Sequence, residues 1–124
     1  MLLDSDVMID LLRGNMQAKA WLASLGNAPL GLPGFVAMEL LQGWRNLAEQ
    51  QKLQKNLTGF AIIWPTSVMC DLALAHFQQF RLSDNLGLLD SLIGNTALDY
   101  GEVLSTFNTK HFRVIAGLQT VAPY

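Results

Sequence analysis

The chain has the length of one domain and a composition that excludes several classes of protein. It contains 124 residues, 51% of them hydrophobic and 15% charged, with a net charge of −2, and we treat residues 1–124 as a single domain with one core. Cys70, the single cysteine, excludes an internal disulfide, a zinc ribbon and a CxxC redox motif. No apolar run approaches the roughly 18 residues that span a bilayer, and we expect no signal peptide, because nothing in the first residues resembles one. We therefore expect a cytoplasmic protein without a membrane partner.

The charge pattern permits a nucleic-acid partner without indicating one. Phosphate binding normally leaves a basic surface, whereas this chain is slightly acidic and its eight Lys and Arg residues are scattered. Four carboxylates are candidates for one metal site: Asp4, Asp6, Glu39 and Asp90. Removing their four negative charges from the net charge of −2 leaves +2 for the rest of the chain, so an RNA substrate is compatible with the composition.

The first elements in chain order are a strand and two helices. Leu2 and Leu3 predict a short strand, and Asp6 predicts the N-cap of a helix that ends near Gly14. Asn15 then opens a second helix that Gly26 stops. A carboxylate at the carboxyl end of a buried strand lies where open α/β sheets bind their ligands, which favours a functional position at the end of this first strand.

The middle of the chain predicts two further strands. Residues 29–32 form a short apolar strand candidate, followed by a Pro33-Gly34 turn and a helix in which Val36, Leu40 and Leu47 recur at helical spacing. Residues 47–58 are rich in Gln and Lys, which is typical of a solvated helix and its connection. Residues 61–64 then predict a third buried strand.

The last part of the chain completes an alternating pattern. Thr66 or Ser67 caps a helix that reaches about Phe80, residues 81–87 form a loop, and residues 88–100 form a clear helix. Residues 103–107 predict a fourth strand, and a fifth lies near Val114 or Val121. Strands separated by helices predict the α/β class, with a parallel sheet of about four to five strands covered on both faces.

Three segments each place one carboxylate among small or apolar neighbours. Asp4 follows the first strand, Glu39 lies in MELLQG, and Asp90 lies in LLDSLIGNTAL, where Gly94 and Ala97 share its helix face and leave space above the backbone. Unpaired carboxylates are costly to bury, and a divalent cation is a favourable partner for several of them. Oxygen ligands favour Mg²⁺ or Mn²⁺ over zinc.

Four segments in order, LLDSDVMIDLLRG, MELLQG, LLDSLIGNTAL and LSTFNTKHF, make the chain similar to a known family. The series resembles the PIN-domain ribonucleases, particularly the VapC-like toxins of bacterial toxin–antitoxin pairs, over nearly the whole chain. The resemblance implies a PIN-like three-layer sandwich around a parallel sheet and an acidic pocket that uses Mg²⁺ or Mn²⁺. It also implies endoribonuclease activity that leaves 5′-phosphate and 3′-hydroxyl ends.

The family's site residues can be carried over position by position. Its strand-end aspartate corresponds to Asp4, its helical glutamate to Glu39, its second core aspartate to Asp90, and the last position of its TxD or TxN element to Asn108. The resemblance makes these four the catalytic set, with Asp4 and Asp90 as direct metal ligands and Glu39 as a ligand or a group that orients water. Asp6 stands where the family commonly has asparagine, and it is both a candidate ligand and a candidate helix cap.

Further residues are candidates for binding substrate and partners. Thr106 is expected to donate a hydrogen bond to the phosphate or to a metal-bound water, and Arg13, Lys110 and Arg113 are candidate phosphate contacts. The resemblance implies a cognate antitoxin as partner, and the apolar content favours a homodimer. An apolar patch before Asp90 is expected to be covered by an antitoxin segment or a second subunit; it comprises Phe77, Phe80 and Leu82.

Two other functions fit parts of the sequence. One is a PIN-like module that binds RNA or protein without cutting, which the uncharged Asn108 favours and the additional acid Asp6 opposes. The other is a phosphatase of the haloacid-dehalogenase type, because DSDV at a strand end is similar to that family's DxDx motif. That family needs a later acidic pair, and here Asp99 and Glu102 instead flank Tyr100-Gly101.

Overall fold

The computed structural model describes residues 1–124, which form one sheet of five parallel strands. The strands are β1 (Leu2–Leu3), β2 (Gly31–Pro33), β3 (Ala61–Ile63), β4 (Leu104–Ser105) and β5 (Thr120–Val121). Their order across the sheet is β3-β2-β1-β4-β5, and every neighbouring pair is parallel. The predicted α/β class and parallel sheet are therefore confirmed.

Seven helices connect these strands. They are α1 (Ser5–Leu12), α2 (Met16–Ser24), α3 (Gly34–Gln42), α4 (Leu47–Leu57), α5 (Ser67–Asp84), α6 (Leu88–Asp99) and α7 (Thr109–Phe112). Parallel strands joined by crossovers are right-handed, which puts α1 to α4 on one face of the sheet and α5 to α7 on the other. The fold is thus a three-layer sandwich. None of the helices is both long and apolar enough to cross a bilayer.

The strand order reverses direction at β1. From β1 the chain moves outward to β2 and β3 on one side, and then α5 and α6 return it to β4 on the other side. Because the connections from β1 and β4 leave over opposite faces, a crevice opens between their carboxyl ends, which is where doubly wound sheets bind ligands. Asp4 and Thr106 follow these two strands directly.

The core is built around β1 and its neighbours. Leu2, Leu3 and Leu104 are completely buried, and they belong to a single cluster that also includes Phe112. Gly94 lets α6 approach this cluster, because a Cβ on Gly94 would lie 2.6 Å from Ile115 Cδ1. The small residues on the Asp90 face of α6 therefore serve close packing, and the expectation that they leave open space is wrong.

Several predicted boundaries differ from the structure near the start of the chain. The N-cap of α1 is Asp4, not Asp6, because Asp4 has the extended backbone that leaves the strand and its side chain accepts from Ser5 N–H. Pro33 belongs to β2 and the next residue begins α3, so no separate turn intervenes. Helix α3 ends at its C-cap Gly43, and Leu47 begins a separate helix whose N-cap is Asn46.

Other predictions in the second half of the chain also need correction. Strand β3 lies at the edge of the sheet and its first two residues are exposed, so it is not a buried strand. Helix α5 continues to Asp84 and covers half of the predicted loop. The fifth strand includes Val121 and not Val114. Of the proposed apolar patch, Leu82 is 96% exposed, whereas Phe77 and Phe80 are partly buried.

Candidate active site

Asp4 is the most buried carboxylate of the crevice. Its side chain lies at the end of β1 and the residue is 4% exposed. Its Oδ1 accepts a hydrogen bond from Ser5 N–H at 2.7 Å, and its Oδ2 accepts one from the Thr106 hydroxyl at 2.7 Å. Burial is the main cause that raises the pKa of Asp4 to about 6; the charges of Asp6 and Asp90 add to this rise, and the hydrogen bonds from Thr106 and Ser5 oppose it.

Asp6 is tied to the segment that follows β4. Its Oδ2 accepts hydrogen bonds from Phe107 N–H at 2.9 Å, from Asn108 Nδ2 at 3.2 Å and from the Thr106 hydroxyl at 3.3 Å. Burial nevertheless raises the pKa of Asp6 above its ordinary value. The Thr106 hydroxyl contacts both Asp4 and Asp6, and it also accepts a hydrogen bond from Asn108 N–H at 3.0 Å. Two residues of the TxN element therefore donate hydrogen bonds to these acids: Thr106 to both Asp4 and Asp6, and Asn108 to Asp6.

Glu39 and Asp90 complete the acidic side chains of the crevice. Burial is the main cause that raises the pKa of Glu39, and the charges of Asp90 and Asp6 add to it, while Ser5 opposes it through a hydrogen bond. Asp90 lies in the first turn of α6, where the helix macrodipole favours a negative charge. The electrostatic coupling among Asp4, Asp6, Glu39 and Asp90 indicates that all four face one region.

The four acids do not form a compact cluster. No group of three Asp, Glu, His or Cys side chains is close enough together to hold a metal ion. Mg²⁺, however, keeps several water ligands and is usually bound through one or two carboxylates and substrate phosphates. The carboxylates of Asp4 and Asp6, joined by one hydroxyl, are a donor set of that kind. The residues therefore fit a hydrated divalent cation with oxygen ligands.

The candidate phosphate contacts lie on two sides of the crevice. Arg13 follows α1 and lines a groove of about 330 Å³ together with Glu39. Gly43, one helical turn after Glu39, lines the same groove. Lys110 lies on α7 and Arg113 caps its end, and both are exposed. None of the three cations forms a salt bridge with a protein carboxylate, so their charge is available to a ligand.

The sequence analysis missed three side chains near the crevice. His111 has its Nδ1 at 3.6 Å from Asp90 Oδ2. Trp44 lines the groove beside Glu39, and its indole N–H is buried without a hydrogen-bond partner. The Phe107 backbone N–H contacts Asp6, and the Phe107 ring packs against Tyr124. No motif in the sequence pointed to these three side chains, because each contact joins distant parts of the fold.

Comparison with known proteins identifies a family, and the matched residues include the whole candidate site. The PIN domain model matches residues 1–118, a range that includes every candidate site residue. The chain is 35% identical to Ribonuclease VapC10 of Mycobacterium tuberculosis over 120 residues, which is 95% of this chain and 90% of that protein.

Solved structures show the same architecture. A toxin–antitoxin complex from Klebsiella pneumoniae contains a chain with a TM-score of 0.78 and 29% identity, covering 99% of this chain and 97% of that one. VapBC-1 from nontypeable Haemophilus influenzae gives a TM-score of 0.78 at 25% identity, with 98% and 96% coverage. VapBC2 from Rickettsia felis gives a TM-score of 0.80 at 21% identity, covers 98% of this chain and 96% of that one, and shows the fold alone. The chain therefore belongs to the PIN domain family and is VapC-like.

Proposed function

We propose that this VapC-like ribonuclease toxin cleaves RNA phosphodiester bonds at the crevice between β1 and β4, and that it uses Mg²⁺ or Mn²⁺ held chiefly by Asp4 and Asp90. Divalent-metal dependence is a general property of the family, and the identity of the ion and its ligands is the finer part of this proposal. One observation carries it: Asp4 is a carboxylate with 4% exposure and has no cationic side chain as a partner. Burying such a group is costly unless a ligand supplies positive charge.

The acids have separate tasks in the proposed site. Asp4 is held in place by Ser5 N–H and by Thr106, so its outward lone pairs are pre-oriented for a ligand. Asp6 is held by the TxN segment and adds a second carboxylate. When bound, the metal ion lowers the pKa of a coordinated water and neutralises charge that develops on the phosphoryl oxygens. Glu39 either joins the ligands or orients the attacking water.

The bond changes follow from in-line attack by water. The water oxygen bonds to phosphorus, the P–O3′ bond breaks, and the products are a 5′-phosphate and a 3′-hydroxyl. The Glu39 carboxylate is suited to take the proton that the water releases, because burial raises its pKa. The departing 3′-oxygen acquires a proton from solvent. Asn108, held against Asp6 through its side-chain amide at 3.2 Å, positions the segment that carries Thr106.

The phosphate backbone is proposed to be bound by the free cations. Arg13 is placed on the groove next to Glu39, and Lys110 and Arg113 belong to α7, which begins directly after Asn108. Phosphate contacts of this kind orient RNA without reading its sequence.

An antitoxin partner is supported by the toxin–antitoxin complexes among the similar structures. We propose that a segment of the cognate antitoxin occupies the groove between α1 and α3, where Ile9, Leu12 and Trp44 form an apolar wall that ends at Glu39. An apolar peptide that fills this groove would also block access to the acids. Leu12→Glu is expected to weaken the complex in calorimetry, whereas Leu82→Glu, on the surface of α5, is expected to leave it unchanged.

A homodimer is also part of the proposal. Helix α5 exposes Val68 at 74% and Leu74 at 56%, and Leu88 at the start of α6 is 61% exposed. Between them lies a wholly apolar depression of about 100 Å³ that includes Cys70 and Phe77. Exposed apolar surface of this kind is typical of a protein contact, and light scattering of Leu74→Asp is expected to report a monomer where the unaltered chain is a dimer.

The decisive experiment is cleavage of total RNA with mapped ends. The protein is incubated with Mg²⁺ or Mn²⁺, in parallel with EDTA and with the double variant Asp4→Ala, Asp90→Ala. Discrete cuts that carry 5′-phosphates and disappear in both controls are the expected result. If the protein is folded and loaded with metal but leaves RNA intact, the proposed nuclease activity is wrong. A PIN-like module that binds RNA without cutting it would then be the better interpretation.

A further inference from the structure

Three aromatic rings form a row that ends at the acidic crevice. Trp21 of α2 lies 6.2 Å from Tyr124 between ring centroids, and Tyr124 lies 5.1 Å from Phe107 in an edge-to-face arrangement. The chain positions of these residues are far apart, so the row exists only in the folded protein. Phe107 and Tyr124 are each 40% exposed, which leaves part of both rings open to solvent.

The row is fixed at two points to helix α1. The Phe107 backbone N–H donates to Asp6 at 2.9 Å, and the Tyr124 hydroxyl donates to Asp10 at 2.7 Å. Asp6 and Asp10 lie four residues apart on the same face of α1. The Phe107 backbone is therefore held at Asp6 and its ring is held against Tyr124, which lowers the entropy that is lost when a ligand binds.

Core packing does not account for the rings of Phe107 and Tyr124. Neither Phe107 nor Tyr124 belongs to the buried cluster around β1, in contrast to Trp21, which packs against it. An aromatic face that is rigid, partly exposed and continuous with a nuclease crevice matches the way proteins bind single-stranded nucleic acid, by stacking of bases on aromatic rings. Sequence-specific RNA recognition also targets unpaired bases that can be splayed onto such rings.

We propose that Phe107 is a stacking platform for the base of a nucleotide next to the scissile phosphate, with Tyr124 supporting the ring from behind. This inference rests on the proposed cleavage of RNA at the crevice. The TxN segment then has two roles: the Thr106 hydroxyl orients the acids, and the side chain of the next residue positions the substrate. Phe107 is a positioning residue and takes no part in bond making or breaking.

The test compares Phe107→Leu with Phe107→Trp. Leucine keeps apolar contact with Tyr124 but has no aromatic face, and tryptophan keeps the face. Binding is measured with single-stranded RNA containing 2-aminopurine, whose fluorescence is quenched on stacking, and with Asp90→Asn as the background to prevent cleavage. Phe107→Leu is expected to weaken binding about 5- to 150-fold, as the loss of one stacked base implies, and to lose the quenching. Phe107→Trp is expected to retain both.

Cleavage kinetics separate this inference from the proposed function. With Asp90 intact, Phe107→Leu is expected to raise KM by more than it lowers kcat, because stacking positions the substrate without stabilising the charge of the transition state. Cleavage by the unaltered protein together with unchanged binding, quenching and KM in Phe107→Leu would overturn the stacking role and leave the nuclease intact. Binding that depends on Phe107 in a protein that cuts no RNA would overturn the nuclease and retain the stacking site.

Discussion

Strand β1 has carboxylates near both of its ends, and the two ends give them different partners. At the amino end, Glu102 pairs with the ammonium group of Met1. At the carboxyl end, Asp4 accepts hydrogen bonds from neutral donors only, and its pKa rises to about 6, mainly through burial. The fold therefore compensates negative charge at one edge of the sheet and leaves it uncompensated at the other. Uncompensated acids beside a crevice are typical of a site completed by a ligand.

Two acids elsewhere in the chain also accept hydrogen bonds from neutral donors, but they are less buried than Asp4. Asp99 accepts from the Thr66 N–H and hydroxyl at the start of α5, and Asp10 accepts from the Tyr124 hydroxyl. Burial raises the pKa values of three of the four crevice acids, which are Asp4, Asp6 and Glu39. Structural acids and candidate functional acids can thus be distinguished by environment, and the following variants test that distinction.

The largest expected effect is the loss of activity in Asp90→Asn. The amide keeps the size of the side chain but removes the charge that would bind a cation, so we expect cleavage to fall at least about 100-fold. Thermal unfolding should change little, because Asp90 is partly exposed in the first turn of α6. Asp99→Asn is the matched control on the same helix and should cleave normally. Equal loss of activity in both variants would contradict the assignment.

Thr106→Val should have the next largest effect. Valine keeps the shape of threonine but removes the hydroxyl that contacts Asp4 and Asp6. Loss of a group that orients metal ligands typically lowers metal affinity or activity about 10- to 100-fold, and titration with Mn²⁺ measures this directly. Thr106→Ser retains the hydroxyl and should restore most of the affinity. If serine and valine behave alike, the hydroxyl has no orienting role.

Asp4→Asn should make the metal-free protein more stable near pH 7.5 while abolishing cleavage. Asp4 binds its proton more tightly in the folded state, with a pKa of about 6, than in the unfolded state at 3.8. The stability of the unaltered protein should therefore fall as pH rises from about 4 to about 6. Asparagine removes this dependence, and after the weakening of two hydrogen bonds we expect a gain of about 1–2 kcal/mol above pH 6.

Thermal melts at several pH values check the direction of this effect. The gain in stability of Asp4→Asn over the unaltered protein should disappear below about pH 4, where Asp4 is neutral in both the folded and unfolded states. Added Mn²⁺ should narrow the difference at pH 7.5, because an ion that binds only the folded protein stabilises it. If Asp4→Asn is less stable than the unaltered protein at every pH, the main role of Asp4 is to stabilise the fold.

The smallest expected effect comes from the opposite end of β1. Glu102→Gln removes the pairing with the Met1 ammonium, whose two partners are both partly exposed. Exposed ion pairs contribute about 0–1 kcal/mol, so the unfolding free energy should fall by no more than that and cleavage should be unaltered. A loss of activity in Glu102→Gln would contradict the distinction between a structural acid at the amino end of β1 and functional acids at its carboxyl end.

The sequence was sufficient for the fold class, and it also picked out the four candidate acids, because both signals are local. Alternating strands and helices, together with carboxylates among apolar residues, are visible within short windows. The assignment of the α1 cap to Asp6 was wrong because both Asp4 and Asp6 suit an N-cap, and only the backbone leaving β1 decides between them. The break between α3 and α4 was missed because Leu47 continues the apolar spacing across Gly43.

Features that depend on distant contacts had no signal in the sequence. The row of Trp21, Tyr124 and Phe107 joins three separate parts of the chain, and no periodic pattern relates them. The groove lined by Arg13, Glu39 and Trp44 requires the packing of α1 against α3. Likewise, the small residue Gly94 suggests open space when only the sequence is considered. In the structure, side chains of α7 and of the segment after it fill that space.

The hydrogen bond between Thr106 and Asp4 joins residues that are 102 positions apart, which has a consequence for synthesis on the ribosome. The first acid is made long before its hydroxyl partner and the neighbouring strand β4. Domains generally fold as units, so a nascent chain that ends before residue 104 lacks β4, β5 and the assembled site. The acidic crevice of this ribonuclease therefore cannot form until the chain has been made through Thr106.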